Sequence, residues 1–225
     1  MSEQAIKKIL ITGANGFIGG SLMRYYQNQG QDVIGVDLVG NGDDIVEGDI
    51  SQPDSISQLL TESDVIIHTA ALVSNAMQDS DMWRVNVLAT RNLIQAAKEH
   101  SVRRFVQISS IVAYGNSAKG EIDETHPVHA DGGSYVLTKL ASEHVVLSEQ
   151  ASDDIEVVII RPGDAYGPGS RPWIIAPLEA IAKNQFMLPE KGEGFFRPIY
   201  IDDLVRGIAM ASKHPDAAGE IFNLS

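Results

Sequence analysis

The chain has 225 residues, 44% of them hydrophobic and 21% charged, the make-up of a globular protein with a sizeable core rather than of a disordered segment. Its net charge of −13 sets an acidic surface against phosphate backbones and anionic headgroups, so nucleic acid and membrane surfaces are excluded as partners on this reading. No cysteine is present, which removes disulfides, zinc–thiolate sites and cysteine nucleophiles and fits a reducing, cytoplasmic setting.

The opening stretch, 1–8, is polar, mixed in charge and without the apolar run of a signal peptide. The first predicted strand, 8–12, is apolar and stops at Gly13. A helix is predicted over 17–29, ending at Gly30, and a second strand over 32–36, ending at Asp37. Gln52-Pro53-Asp54 opens another helix, with Pro near its first position. Further strands are expected at 64–68, 104–108 and 156–160, and helices at 81–100 and 135–150, where apolar residues recur at helical spacing. Near-continuous Val/Ile runs belong to a parallel sheet covered on both faces. Strands alternating with helices predict an α/β fold, a Rossmann-type doubly wound parallel sheet.

After Arg161 the composition changes, because Pro162, Pro168, Pro172, Pro177, Pro189 and Pro198 break the chain into short pieces. The expected division is a dinucleotide-binding domain over 1–161 and a small C-terminal substrate lobe over 162–225, interleaved with the last sheet elements. A helix at 202–212 and a strand at 220–224 are the latter.

Gly13-Ala14-Asn15-Gly16-Phe17-Ile18-Gly19 follows the first strand and opens the first helix. Gly13 permits the tight turn, Gly16 lets the backbone approach a pyrophosphate, and Gly19 lets helix and strand pack closely. Free N–H groups at the helix start, among them those of Phe17 and Ile18, suit the anion. Asp37 ends the second strand, where a carboxylate accepts hydrogen bonds from the ribose hydroxyls. It would repel a 2′-phosphate, and no Arg or Lys lies between Val33 and Glu47, so NAD is expected over NADP.

Tyr135-Val136-Leu137-Thr138-Lys139 places a phenol and an ammonium on one helix face. A free Tyr, with a pKa near ~10, is a poor base at neutral pH. A neighbouring ammonium stabilises the phenolate and is expected to lower that value, so that Tyr135 serves as base toward an alcohol or acid toward a ketone. Ser109-Ser110 follows the strand at 104–108, at the edge of the sheet where ligands bind, and Ser110 can hydrogen-bond the reacting oxygen. His126 and His129, near Asp123 and Glu124, do not have a zinc-site spacing, and no metal is expected. Trp173 reads equally as pocket wall or core. Arg197 is a candidate anion clamp, with a salt bridge to Asp202 or Asp203 as its structural alternative.

Together these features resemble the NAD-dependent epimerase/dehydratase group of extended short-chain dehydrogenases/reductases. Gly48-Asp49-Ile50 resembles the segment whose aspartate lies near the adenine; His68-Thr69-Ala70-Ala71 resembles the turn beside the cofactor; Val85-Asn86-Val87-Leu88-Ala89-Thr90 resembles the family's Asn-Val-x-Gly/Ala-Thr helix. Ser109-Ser110-Ile111-Val112-Ala113-Tyr114-Gly115 resembles the segment whose catalytic serine corresponds to Ser110. Arg161-Pro162-Gly163-Asp164-Ala165-Tyr166-Gly167-Pro168-Gly169 and Arg197-Pro198-Ile199-Tyr200-Ile201-Asp202-Asp203-Leu204 resemble the later signatures. The resemblance implies catalysis by Ser110, Tyr135 and Lys139. It implies NAD held by Gly13, Asn15, Gly16, Phe17, Ile18, Asp37, Asp49, Ile50, Ala70, Ala71, Asn86, Tyr135 and Lys139. A small alcohol or ketone, sugar- or steroid-like, would meet Ser110, Asp164 and Arg197.

Two departures bear on the substrate. Nucleotide-sugar epimerases of the group usually carry Asn where Asp164 stands, and a carboxylate suits a sugar diphosphate less well. The dehydratase branch has an Asp-Glu pair after the catalytic hydroxyl residue, and Ile111-Val112 stand there, without an acid or base for water elimination. Dehydrogenase, epimerase and cofactor-binding regulator stay open, the intact triad arguing against the last. The resemblance also implies a homodimer through the helices at 81–100 and 135–150.

Overall fold

The computed structural model describes residues 6–73, 78–115, 120–152, 154–194 and 196–225; the first five residues of the polar opening stretch lie outside them. The first half runs β1 (Ile9–Thr12), α1 (Phe17–Asn28), β2 (Val33–Asp37), β3 (Ile45–Glu47), α2 (Ser57–Glu62), β4 (Val65–His68), α3 (Asp79–Trp83), α4 (Thr90–Glu99) and β5 (Arg104–Ile108). The second runs α5 (Ser134–Glu149), β6 (Glu156–Pro162), β7 (Asp164–Tyr166), α6 (Ala176–Ala182), β8 (Pro198–Tyr200), α7 (Ile201–Lys213) and β9 (Ile221–Leu224).

Seven strands form one parallel sheet in the order β3-β2-β1-β4-β5-β6-β9. The chain winds outward in both directions from β1, so the order reverses between β1 and β4, which makes a crevice at their carboxyl ends. Strand periodicity splits the core in two. Ile9, Ile11, Val65, Ile67, Val106 and Val158 pack with Leu22 of α1 and Leu204 and Ile208 of α7. Leu10, Ile66, Phe105, Val157 and Ile159 point the other way, onto Leu60 of α2, Leu93 and Ile94 of α4 and Val146 of α5. Each such fully buried side chain contributes roughly 1.5–3 kcal/mol, set against the entropy of ordering the chain.

One buried cation serves the fold alone. Arg104 is 1% exposed and donates to the Ala211 and His214 carbonyls at 2.9 and 2.8 Å, satisfying the end of α7, while its Nε meets Glu156 at 2.7 Å.

The helix predicted over 81–100 begins at Asp79 and widens into a π-helical turn, Arg84–Ala89, between α3 and α4. The proline-rich stretch supplies a separate two-stranded parallel sheet, β7 with β8, and the amphipathic α7 and strand β9 then return to the main sheet. No helix among the described residues is long and apolar enough to cross a membrane.

Candidate active site

The glycine loop turns where the sheet order reverses. Gly13 has φ +69°, and a Cβ there would sit 2.7 Å from the Ala70 nitrogen in the turn after β4. A Cβ on Gly19 would lie 2.2 Å from the Gly13 carbonyl, so the first turn of α1 can pack here only without a side chain. Asp37 is fixed by two backbone donors, Asn15 N to Oδ2 at 2.9 Å and Leu38 N to Oδ1 at 2.8 Å. Each oxygen keeps a lone pair for a ribose hydroxyl.

A cavity of about 310 Å³ opens at this point, lined by Gly13, Gly16, Asp37, Asp49, Ile50, Ala70 and Ala71, all expected from sequence. Leu38, Thr69, Arg84 and Val85 line it too and were not singled out, although Val85 and Thr69 lie inside the quoted motifs. Ser51 N donates to Asp49 at 2.8 Å, and this bond holds the Asp49 carboxyl below its usual range. Asn15 turns its side chain away, onto the Val39 carbonyl, and contributes its backbone; Phe17 and Ile18 pack partly into the core. The close-packed glycines, the pinned carboxylate and the cavity between them fit the adenosine and pyrophosphate of NAD.

A chain of hydrogen bonds runs from this loop to α5. Thr90 Oγ1 donates to the Asn86 carbonyl at 2.9 Å, so it accepts from His68 Nε2 at 3.0 Å. His68 Nδ1 therefore accepts from Thr12 Oγ1, at 2.6 Å. Burial, with a smaller push from Lys139, drives the imidazole down to about 3, leaving it neutral. Asn86, 3% exposed, clasps both backbone groups of Leu72, at 2.7 and 3.0 Å, and donates to Thr138 Oγ1 at 3.1 Å. Asn86 thus reaches α5 beside Lys139 from inside the wide turn of its own helix.

On α5, Lys139 is 5% exposed and donates from Nζ to the Ile108 carbonyl at 2.9 Å. Burial pulls its ammonium down to about 8, with Glu143 acting in the opposite direction. Nζ lies 5.9 Å from the centre of the Tyr135 ring. The expectation that Lys139 lowers the phenol's pKa is corrected here: burial pushes Tyr135 up to about 12, and only a hydrogen bond with Ser110 works against it. The ammonium is committed to the Ile108 carbonyl, 5.9 Å from the ring centre, and does not offset the phenol's lost hydration.

Ser110 opens onto a second cleft of about 600 Å³, with Tyr114, Glu121, Ile122, Asp164, Trp173, Arg197 and Asn223 among its walls. Asp164 and Arg197, 33 positions apart, meet here because β7 pairs with β8: Arg197 N donates to Asp164 Oδ2 at 3.0 Å. The Arg197 guanidinium makes no ion pair among the described residues, since Asp203 is taken by Arg206. Trp173 resolves as a wall residue, its ring centre 4.9 Å from that of Phe196. Tyr114 and Asn223 were not assigned a role from sequence; Tyr114 stood in a quoted motif, whereas Asn223 carried no signal. Tyr135 and Lys139 line neither cavity directly, and Tyr135 reaches the cleft through Ser110.

A doubly wound sheet with this glycine turn and carboxylate defines a dinucleotide-binding protein of the oxidoreductase type. Residues 9–225 match the NAD dependent epimerase/dehydratase family, and the chain belongs to it. It is an NAD-dependent enzyme of the extended short-chain dehydrogenase/reductase type. The low-salt glycan biosynthesis protein Agl12 of Haloferax volcanii is 29% identical over 237 residues, covering 96% of this chain and 76% of that protein. The UDP-glucose 4-epimerase of Vibrio cholerae is 30% identical over 233 residues, covering 97% and 70%. The crystal structure of UDP-glucuronic acid 4-epimerase from Bacillus cereus, in complex with UDP-glucuronic acid and NAD, superposes with a TM-score of 0.86 at 27% identity, over 97% of this chain and 77% of that one.

Proposed function

We propose that the chain catalyses reversible hydride transfer at a secondary alcohol or ketone of a small molecule held in the cleft beside Ser110. Bound NAD supplies the hydride acceptor or donor. The observation that carries the reading is Ser110 at the cleft wall, close enough to Tyr135 to pull its phenol down against the effect of burial, with Lys139 one helical turn further along α5. Ser110 hydrogen-bonds the reacting oxygen. Tyr135, kept protonated by burial, donates its proton to a carbonyl oxygen as that oxygen gains charge. In the other direction Tyr135, once ionised, removes the hydroxyl proton, while the Lys139 ammonium would hold the nicotinamide ribose. Tyr135→Phe should lower turnover by about 10²-fold or more with NAD affinity retained; near-normal turnover would refute the assignment.

A second reading, a nucleotide-sugar epimerase, is favoured by one feature. The Arg197 guanidinium stands at the cleft without a carboxylate partner among the described residues, suited to a diphosphate. An epimerase returns the hydride it removes, so NADH would not accumulate during turnover; a dehydrogenase builds it up. The substrate lobe falls within 162–225 on either reading. The exposed Trp83 and Leu88, on the helical run from α3 to α4, support pairing of two copies there, and the absence of cysteine fits a cytoplasmic setting.

A further inference from the structure

An ion pair that the proposed chemistry leaves unused lies behind the cleft. Glu143 stands one turn beyond Lys139 on α5, and Arg161 lies near the end of β6; they are 1% and 3% exposed. Arg161 grips the carboxylate with two donors, Nε to Oε1 at 3.0 Å and Nη2 to Oε2 at 2.6 Å. Its Nη1 donates to the Tyr114 hydroxyl at 2.8 Å, and its guanidinium carbon is 4.7 Å from the centre of that ring. The Tyr114 hydroxyl in turn lies 2.9 Å from Asn223 Oδ1, and both residues are walls of the cleft.

Burying such a pair is not by itself stabilising, because the lost hydration about cancels the attraction. Its placement therefore calls for a reason beyond stability. The i, i+4 spacing turns Glu143 to the Lys139 side of α5. The groups around Lys139 are Tyr135 and Glu143 from α5, the neutral His68 from β4, the Ile108 carbonyl from β5, the neutral Asn86 from the wide turn and, beyond Glu143, Arg161 from β6. Among the described residues, Glu143 is the one anion in this set.

We propose that Glu143, clamped by Arg161, is a positioning residue that keeps the buried Lys139 an ammonium, and that Tyr114 ties the clamp to the cleft wall. Of the influences on Lys139, Glu143 is the one that opposes burial. The catalytic consequence rests on the hydride-transfer reading, but the charge of Lys139 can be measured without any substrate.

The test is an NMR titration of protein carrying ¹³C-labelled lysine, with Lys139→Met used to assign the signal. Glu143→Gln should lower the Lys139 midpoint by about one pH unit or more, and Glu143→Asp should restore most of it. Arg161→Met, which frees the carboxylate of its counter-ion, should raise the midpoint. A purely structural pair would move neither midpoint, or both in one direction. If Glu143→Gln does not fold, Glu143→Gln combined with Arg161→Met leaves no unpaired buried charge and is read the same way, with a fall expected. A folded variant lacking Glu143 whose Lys139 midpoint is unmoved overturns the proposal. Loss of turnover in Tyr135→Phe is a separate measurement, so either idea can fail without the other.

Discussion

His68 makes folding stability depend on pH in a way that can be calculated. The imidazole is 1% exposed, spends both ring nitrogens on threonine hydroxyls and is driven down to about 3 in the folded chain. In the unfolded chain it titrates near ~6.5. Between these values the unfolded state binds a proton that the native state refuses, so stability falls as pH drops through that window. Each pH unit costs about 1.4 kcal/mol, and from pH 7 to pH 5 the loss from this group alone is about 2 kcal/mol. Urea unfolding followed by circular dichroism at the two pH values measures the total loss for the protein. The same pair of measurements on His68→Gln, which cannot titrate, removes the contribution of every other group that behaves alike in both chains. The wild type should lose about 2 kcal/mol more than the variant between pH 7 and pH 5. Equal losses would mean that the folded imidazole accepts a proton near its ordinary value, and the directional hydrogen-bond chain from Thr12 to Asn86 would be wrong.

Lys139 carries the same sign at higher pH. Its ammonium, pulled to about 8, destabilises the fold progressively as pH falls from the unfolded value near ~10.5 toward 8, so Lys139→Met should be more stable at pH 7 by about 1–3 kcal/mol in urea unfolding while losing turnover. Gly19→Ala puts a methyl 2.2 Å from the Gly13 carbonyl, a clash with backbone that should cost about 2 kcal/mol or more and show as a lower Tm together with weaker NAD binding by calorimetry. Asp37→Asn keeps an oxygen for one backbone donor but removes the charge, and should weaken NAD by about tenfold while narrowing the preference over NADP, as read by titration of both cofactors.

The seven-stranded sheet was legible where its strands are buried on both faces, because runs such as 64–68 and 156–160 then have no polar alternation to obscure them. β3 escaped notice because it is three residues long, lies at the sheet edge and leaves Val46 exposed. β7 and β8 escaped because each is three residues beside Pro or Gly, and their pairing joins Asp164 to Pro198 across the whole lobe. No local pattern announces the π-helical turn in which Asn86 sits. In the site, the glycines, Asp37, Ser110, Tyr135 and Lys139 stood out because each sits at a fixed offset from a strand end or within one helical turn. The Glu143–Arg161 clamp did not, since two charges 18 positions apart meet only once α5 packs across β6. The state of the Tyr135 phenol also depends on burial, a property of the assembled layers rather than of the Tyr-x-x-x-Lys spacing.

The strand that closes the sheet also closes the cleft. Asn223 accepts from Tyr114, donates from its backbone to Glu124, and stands in register with Arg161 through the pairing of β9 with β6. A slip of one residue would swing Asn223 to the opposite side of the sheet and pull the floor from under the substrate chamber. The register of β9 against β6 therefore sets the position of a cleft wall as well as the edge of the sheet. An edge strand of four residues thus doubles as masonry for the cleft, and a change that loosens its pairing with β6 would be felt at Tyr114 and Asn223 before it is felt at the glycine loop.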